Sequence, residues 1–271
     1  MREEQYQFGI FSWFGYRLHM AQRAKLIRNA GFSVTSLWWG EEEKANTGSL
    51  HDLPAIVRDA GLIIDNIHVP FEDANHLFSD SVSTRRAAVD KHISWLNDCA
   101  LHNVTIMVMH ACYQHSNRQP SRYLTDSLTK MLEEAEKLDV VIAIENARCR
   151  NCLEFAFAEI DSPRLGFCYD SSHDWAFSDN KTDVLKTYGR RLVTNHLSDN
   201  DGLEDCHWFP GEGVVDWHKI AQAFPKQKCS GRLLLEILPK DKVPKESPEI
   251  FLAQAYESLT SIAELFKAQQ K

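Results

Sequence analysis

Short apolar segments alternate with longer amphipathic segments along the chain, and the alternation repeats about eight times. The apolar segments are rich in valine, isoleucine and leucine without strict alternation, which is typical of strands buried on both faces. These candidate strands are residues 7–13, 34–39, 62–69, 104–110, 140–145, 164–170, 191–197 and 232–238. Consecutive β-then-α units favour a closed parallel barrel, because each helix returns the chain to the same edge of the sheet.

The intervening segments show helical periodicity and carry the residues expected at helix ends. The clearest periodic stretches are residues 20–30, 84–102, 123–138, 216–224 and 247–271. Gly31 and Gly61 follow predicted helices at the position where a left-handed cap is usual, and Asp216 suits the position before a first turn. We therefore predict an α/β fold, a (β/α)8 TIM barrel with residues 1–271 as a single domain, a size at which such barrels are common. A doubly wound open sheet is the alternative, but the phosphate-loop patterns GxGxxG and GxxxxGK[ST] are missing.

The charge balance limits the classes of partner. The chain has 38 acidic and 30 basic residues and a formal net charge of −8, so its field repels phosphate backbones and a nucleic-acid partner is not expected. No segment reaches the roughly 18 apolar residues of a membrane span. Seven scattered cysteines and a start without a basic or apolar leader predict a reducing, cytoplasmic location.

Acidic and histidine side chains stand where the predicted strands end, which is where a barrel of this kind builds its active site. They are His68, His110, Glu145, Asp170, His173, His196, Asp205, His207 and Glu236. A single buried histidine is more often a hydrogen-bonded core residue than a ligand. However, no lysine stands at these ends to neutralise the carboxylates, and burial of unpaired charge is costly. The set as a whole therefore predicts a divalent-metal site, and its mixed ligands suit zinc, manganese, iron or cobalt.

Aromatic side chains form a second concentration at or just beyond the strand ends. They are Trp13, Phe14, Trp38, Trp39, Trp175, Trp208 and Phe209. They form either a hydrophobic plug beneath the loops or a wall against the apolar face of a sugar or polyol. Arg148, three residues beyond Glu145, either contacts a substrate oxygen, carboxylate or phosphate or pairs with a surface acid.

Cys149 and Cys152 form a lone CxxC just after the fifth predicted strand. One such pair is a weak indication of a zinc or redox site, and we interpret both as incidental cysteines at a helix start. Cys112, Cys168 and Cys206 lie near the predicted rim, but nothing requires one of them as a nucleophile.

Four stretches resemble the xylose isomerase-like TIM barrels, the superfamily of sugar (phosphate) isomerases and epimerases, inosose dehydratases and isomerases, and endonuclease IV. They are IEN at 144–146, YDSSH at 169–173, NHLSD at 195–199 and DCHWFPGEG at 205–213, and Leu235-Glu236 completes the pattern. The loop HWFPGEGVVDW is similar to the H-x-x-PGxG-x-[IV]-DW segment of the isomerase branch.

The resemblance implies a role for each residue at the strand ends. The four ligands of a central metal would be Glu145, Asp170, His196 and Glu236. His173 would lie beside that metal and face the substrate. The positions that match further ligands of the endonuclease IV three-zinc cluster are His68, His110, Asp205 and His207, and with His173 all nine positions of that cluster are matched. The implied cofactor is one to three divalent ions, with Zn²⁺, Mn²⁺ or Co²⁺ as candidates.

The implied activity is isomerisation or epimerisation of a sugar, a sugar phosphate or a related polyol. Glu145 or Glu236 would remove the proton beside a carbonyl to give a metal-stabilised enediolate, and the other glutamate would return a proton. His173 would act with them in catalysis. The predicted substrate-binding residues are Arg148, Trp13, Trp38, Trp175 and His68.

Three alternative functions stay open at this stage. One is phosphodiester cleavage at abasic DNA, as in endonuclease IV, which the net charge of −8 and the Glu41–Glu43 run disfavour. Another is dehydration of a keto-inositol by a lyase that uses nearly the same residues. The third is a metal-binding barrel without catalysis, since a fold does not by itself imply activity. The sequence also leaves association into a homo-oligomer open.

Overall fold

The computed structural model describes residues 6–40, 49–113, 119–225, 231–240 and 243–270. One parallel sheet of eight strands runs in the order β7-β6-β5-β4-β3-β2-β1-β8. The strands are β1 Gln7–Phe11, β2 Val34–Trp38, β3 Ile63–His68, β4 Ile106–Met109, β5 Val141–Glu145, β6 Leu165–Asp170, β7 Leu192–His196 and β8 Arg232–Leu235. The sheet closes where the Leu197 amide donates to Leu234 at 2.8 Å and the Glu236 amide donates to Leu197 at 3.1 Å. The predicted (β/α)8 barrel is confirmed.

Helices surround the barrel, and all but the last of those described lie between successive strands. They are α1 Met20–Asn29, α2 Leu53–Asp59, α3 Val82–Leu101, α4 Arg122–Lys137, α5 Arg150–Glu159, α6 Ser171–Phe177, α7 Asp183–Tyr188, α8 Trp217–Ala223 and α9 Pro248–Gln270. Gly31 and Gly61 have φ of 106° and 82°, so the left-handed caps after α1 and α2 are confirmed. The Asp216 side chain accepts a hydrogen bond from the Lys219 amide and caps α8, as predicted. None of the helices in the described ranges is long and apolar enough to cross a membrane.

Several strands are shorter than the apolar segments that predicted them. β8 ends at Leu235, although the apolar segment continues to Leu238. Beyond the bridge to Leu197 the chain leaves the sheet, and the Leu238 amide donates to the His207 carbonyl at 2.8 Å. Ile237 lies beyond the strand but is buried in the main core, which explains why this position is apolar. An apolar segment therefore indicates which residues are buried, whereas the strand itself ends where its pairing with the neighbouring strand ends.

The barrel interior contains an apolar layer and, towards the start of β8, a polar network. Val108, Ala143 and Cys168 form the apolar layer. In the network, the buried Asp65 accepts hydrogen bonds from Arg232 Nη1 at 2.8 Å and from Thr194 Oγ1 at 2.6 Å. The outer core, between the strands and the helices, is larger and almost entirely apolar. This frame holds the carboxyl ends of the strands in one ring.

Candidate metal centre

The carboxyl ends of the strands bring the nine predicted ligands together. His68, Glu145, Asp170 and His196 are the last residues of β3, β5, β6 and β7, and Glu236 directly follows β8. His110 follows β4, His173 lies in the first turn of α6, and the loop between β7 and α8 supplies Asp205 and His207. Parallel strands end at one edge of a barrel, so residues up to 168 positions apart meet there.

Glu145 is the centre of this group. Its Oε2 lies 3.1 Å from His68 Nε2, 3.5 Å from His110 Nε2 and 3.2 Å from His196 Nδ1, and its Oε1 lies 2.9 Å from His173 Nδ1. Burial alone would raise the pKa of Glu145. The charges of His110 and His196 and the short contacts with His110 and His173 outweigh burial and hold the pKa well below its usual value.

The donor atoms form three groups that share Glu145. One of them combines Glu145 with Cys168 and His196, and the other two contain only carboxylates and imidazoles. Of these two, the first is Glu145, Asp170, His196 and Glu236, and the second is His68, His110 and Glu145; within each group one ligand atom per residue lies within 4.8 Å of the others. Within the first group, His196 Nδ1 lies 2.8 Å from Glu236 Oε2. The first group contains the four residues to which the sequence assigns the central metal.

Asp205, His173 and His207 meet beside these groups. Asp205 Oδ2 lies 2.9 Å from His207 Nε2 and 3.3 Å from His173 Nε2. Asp205 Oδ1 accepts a hydrogen bond from the Ser172 hydroxyl at 2.7 Å, which leaves Oδ2 to the imidazoles. Burial would lower the pKa of His207, but the charge of Asp205 and its hydrogen bond raise that pKa to about 10.

Neighbouring groups orient the candidate ligands. His68 Nδ1 lies 3.0 Å from the Val69 carbonyl, and His207 Nδ1 lies 3.0 Å from the Glu236 carbonyl, so the Nε2 atoms of both rings face carboxylates. Asp170 Oδ1 caps α6 by accepting from the His173 amide at 2.6 Å, which leaves Oδ2 to face the ring. Such outer contacts commonly fix the orientation of metal ligands.

The buried polar atoms of this ring fit a divalent cation. Asp170 Oδ2, His173 Nδ1 and both ring nitrogens of His196 have no hydrogen-bond partner among the described residues, despite their short contacts with carboxylates. Burial raises the pKa of Asp170 to about 7, as do Glu145 and the other nearby carboxylates, against the opposing charge of His173. Lone pairs that face one space without bonding to each other suit a shared cation, which would also relieve the repulsion between the carboxylates.

The loop between β7 and α8 is organised around a buried carboxylate. Asp199 accepts hydrogen bonds from the amides of Gly211 and Val215 at 2.8 and 3.0 Å, and from the Trp217 indole at 3.0 Å. A Cβ at Gly213 would overlap the Asn200 carbonyl, so the loop requires glycine there. This packing explains the PGEG motif and holds the segment that carries Asp205 and His207.

A family model described as "Xylose isomerase-like TIM barrel" matches residues 24–267. The chain belongs to this family. The matched range begins in α1 and ends in α9, and it contains all nine candidate ligands. The resemblance inferred from the sequence motifs is confirmed.

Two curated relatives and two solved structures are similar to this chain. The uncharacterized protein y4fM of Sinorhizobium fredii is 26% identical over 73% of this chain and 74% of its own length. Fructoselysine 3-epimerase of Escherichia coli O157:H7 is 23% identical over 51% of this chain, and the match spans 52% of that enzyme. The structure of L-ribulose 3-epimerase has a TM-score of 0.75 at 13% identity, with 98% of this chain and 97% of that chain covered. The IOLI protein with a bound zinc atom has a TM-score of 0.78 at 15% identity, with 96% and 99% covered.

Aromatic rings border the ring of ligands in this xylose isomerase-like barrel. Phe71 stacks on His110 with centroids 4.4 Å apart and planes 7° apart, and Trp38 lies 5.5 Å from the His68 ring. Phe177 lies 5.7 Å from the His173 ring. Sequence reasoning identified Trp38 but missed Phe71 and Phe177. The available signal was their spacing, because Phe71 follows His68 by three residues and Phe177 follows His173 by four.

Arg148 lies beside the site and connects two of its loops. Its Nη2 is 3.1 Å from Glu204 Oε2 in the loop after β7, and its guanidinium is 4.1 Å from the centre of the Phe177 ring. The sequence predicts that Arg148 either contacts the substrate or pairs with a surface acid. In the structure it pairs with an acid, Glu204. Glu204 itself was not predicted, because only the fold brings residues 148 and 204 together.

Several of the aromatic side chains predicted at the strand ends are buried in the main core. Trp175 is only 6% exposed and belongs to the main core, as do Phe14 and Trp39. The assignment of Trp175 to substrate binding stays a prediction, and the burial of its ring leaves little surface for such a contact. Trp13 is half-buried and lies 5.5 Å from the Arg23 guanidinium. The acidic run 41–43 lies outside the described residues.

Proposed function

We propose that the protein is a divalent-metal-dependent isomerase or epimerase that acts on a sugar, a sugar phosphate or a related polyol. The observation that carries this proposal is the placement of two glutamates around one imidazole. Glu145 Oε2 and Glu236 Oε2 lie 3.2 and 2.8 Å from the same His196 Nδ1. Moving a proton on carbon requires one group to take it and another to return it, and a pair of glutamates can do both.

The donor groups support the metal requirement. We assign Glu145, Asp170, His196 and Glu236 to the central ion, for which Zn²⁺, Mn²⁺ and Co²⁺ are the candidates. When bound, the ion supplies Lewis-acid stabilisation of the negative charge that develops on substrate oxygens. The zinc named in the IOLI structure supports the choice of a transition metal.

The protein side chains divide the remaining work. One glutamate takes the proton from the carbon beside the carbonyl. The other gives a proton to the opposite face of that carbon, which is epimerisation, or to the neighbouring carbon, which is isomerisation. We assign His173 and Arg148 to the substrate oxygens, and His68, Trp13 and Trp38 to the walls of the site. The names fructoselysine 3-epimerase and L-ribulose 3-epimerase favour epimerisation.

Proton exchange with solvent tests this proposal directly. The purified protein, supplied in turn with Mn²⁺, Co²⁺ and Zn²⁺, is incubated in deuterated water with a panel of ketoses, ketose phosphates and inososes. We expect deuterium on the carbon beside the carbonyl and formation of an epimer or isomer, both detected by NMR. Loss of water from an inosose would instead indicate the lyase. Absence of exchange with every member of the panel, together with cleavage of abasic DNA, would overturn the isomerase assignment.

The additional donor groups favour a second candidate function. His68 and His110 form a separate group with Glu145, and Asp205 contacts both His173 and His207. A cluster of two or three ions suits phosphodiester hydrolysis, in which metal ions clamp a phosphate. Elemental analysis of the protein as purified distinguishes the two, because the simplest epimerase site holds one ion per chain. The formal net charge of −8 makes DNA the less suitable substrate.

A further inference from the structure

Three cysteines meet beside the candidate metal centre. Cys112 lies in the loop after β4, whereas Cys149 and Cys152 lie at the start of α5. Cys112 Sγ is 3.4 Å from the Cys149 carbonyl oxygen, and the Cys112 thiol is within hydrogen-bonding reach of the thiols of both Cys149 and Cys152. Among the described residues no disulfide is formed. The sequence shows only the CxxC pair, and the fold adds the third thiol.

The three thiols differ in accessibility and in their contacts. Cys112 and Cys152 are 2% and 1% exposed, whereas Cys149 is half-buried. A small oxidant therefore reaches Cys149 first. Cys112 contacts both of the other thiols, which makes it the natural partner for whichever sulfur is attacked. Thiol–disulfide exchange depends on this combination of access and a nearby second sulfur.

We propose that Cys112 and Cys149 are a reversible disulfide-forming pair that is oxidised by a small disulfide such as glutathione disulfide. The Cys149 sulfur attacks one sulfur of glutathione disulfide and breaks its S–S bond, and the departing glutathione thiolate takes up the proton that Cys149 gives up. The Cys112 sulfur then attacks the Cys149 sulfur and releases a second glutathione. Two protein thiols lose two electrons and two protons, and one glutathione disulfide becomes two glutathione molecules.

The proposed cross-link would join two loops of the candidate site. Cys112 follows His110 by two residues, and Cys149 directly follows Arg148. A Cys112–Cys149 bond would link the loop after β4 to the start of α5. It would therefore restrain the backbone next to His110 and Arg148. The chemical part of the proposal does not depend on the identity of the substrate or of the metal.

Counting accessible thiols after oxidation tests the pair. The protein is equilibrated with glutathione and glutathione disulfide at several ratios, quenched with acid, unfolded and alkylated with N-ethylmaleimide. The fully reduced chain takes up one adduct on each of its seven cysteines. We expect the intact mass to show two adducts fewer at high glutathione disulfide, and dithiothreitol to restore them. Peptide mass spectrometry of the wild-type chain should identify the linked sulfurs as those of Cys112 and Cys149.

Single substitutions separate this pair from its alternatives. Cys149→Ser should abolish the change, and Cys112→Ser should stop at a glutathione adduct on Cys149. Cys152→Ser should still form the disulfide, as should Cys206→Ser, a matched control that removes another half-buried cysteine. The proposal is overturned if the wild-type chain keeps seven adducts at every ratio, or if an intramolecular disulfide still forms in the Cys112→Ser protein. Linkage of Cys149 to Cys152 in the wild-type map would also overturn it, and that measurement needs no variant to fold.

Discussion

The barrel interior contains two clusters of buried polar side chains, and they solve the problem of burial in different ways. In the network around Asp65, both carboxylate oxygens accept hydrogen bonds, from Arg232 at 2.8 Å and from Thr194 at 2.6 Å, and the Asn66 amide adds a third at 3.0 Å. At the carboxyl ends of the strands, by contrast, Asp170 Oδ2 and both ring nitrogens of His196 have no hydrogen-bond partner among the described residues.

The contrast shows that burial of charge does not by itself indicate a binding site. The Asp65 network pairs its acid with Arg232, so its donors and acceptors balance within the protein. The ring around Glu145 contains carboxylates and imidazoles whose short contacts leave several lone pairs unused. The first arrangement stabilises the barrel, whereas the second suits the divalent cation that we propose for the site. Substitutions in the two clusters should therefore have separable effects on activity and on stability.

The largest expected effect is on catalysis at the ring of candidate ligands around Glu145. Glu236→Gln keeps the size of the side chain but removes a carboxylate assigned to proton transfer, so deuterium exchange should fall by about 10²–10⁴-fold. The exchange rate measured by NMR with the preferred ketose checks this. Glu257→Gln, which changes an exposed glutamate of α9, is the matched control and should leave the rate unchanged. An exchange rate within threefold of wild type in Glu236→Gln would contradict the assignment.

The next largest effect is on the stability of the protein, through the polar network around Asp65. Asp65→Asn should lower the free energy of unfolding by about 3 kcal/mol, because it leaves the Arg232 charge without its carboxylate. Arg232 retains some solvent contact, with 22% of its side chain exposed, which keeps the loss at the lower end of the range for buried pairs. Urea denaturation measures the change, and metal content should not alter. Glu134→Gln, which breaks the surface pair with Lys137, should leave the free energy of unfolding nearly unchanged.

His92 of α3 is a third buried polar group, and it shows the effect of burial on an imidazole that has no carboxylate in contact. Burial lowers the pKa of His92 to about 4, and the charge of Lys91 contributes in the same direction. The folded-state pKa is below the unfolded value, so this contribution to stability is present above about pH 6.5 and is lost as the pH falls towards 4. The expected loss is about 3 kcal/mol. Denaturation of wild type and His92→Leu across this pH range should show a weaker dependence of the unfolding free energy on pH for the variant. The same dependence in both proteins would disprove the contribution assigned to His92.

Removal of the metal should distinguish the two clusters thermodynamically. With the metal ion at about a hundredfold its dissociation constant, binding stabilises the folded state by about 2.7 kcal/mol. Chelation should therefore lower the unfolding free energy of wild type by that amount. Asp170→Asn should lose much of this increment, and Asp65→Asn should keep it. A full metal-dependent increment in Asp170→Asn would exclude Asp170 from the ligands.

The smallest effect is expected at the aromatic border. Phe71→Leu removes the ring stacked on His110 but keeps an apolar side chain, and ring pairs of this kind contribute about 0.5–1.5 kcal/mol. We expect a rise in KM of up to about tenfold with little change in kcat. Steady-state kinetics checks the split, and Phe14→Leu in the main core is the control for a general loss of packing. A fall in kcat with KM unchanged would contradict a binding role for Phe71.

Most of the fold and the members of the candidate site could be predicted from the sequence. Apolar segments mark strands, and in a parallel barrel every strand ends at the same edge, so residues such as His68 and Glu236 must converge once the segments are assigned. Strand boundaries were less accurate, because Ile237 and Leu238 remain apolar after β8 has ended. For Trp175 the sequence could not separate a buried position from a wall of the site, because its distance from a strand end does not reveal that its ring packs in the main core.

The sequence alone therefore determined the α/β barrel, the side chains at its carboxyl edge and the motifs of the family. Periodicity and residue type carry that information locally along the chain. Only the tertiary structure decided which atoms meet. It made Glu145 the carboxylate shared by three donor groups, paired Arg148 with Glu204 and brought Cys112 to the CxxC pair. Such contacts join loops far apart in the chain, so they depend on side-chain packing across the barrel rim, which no local pattern records.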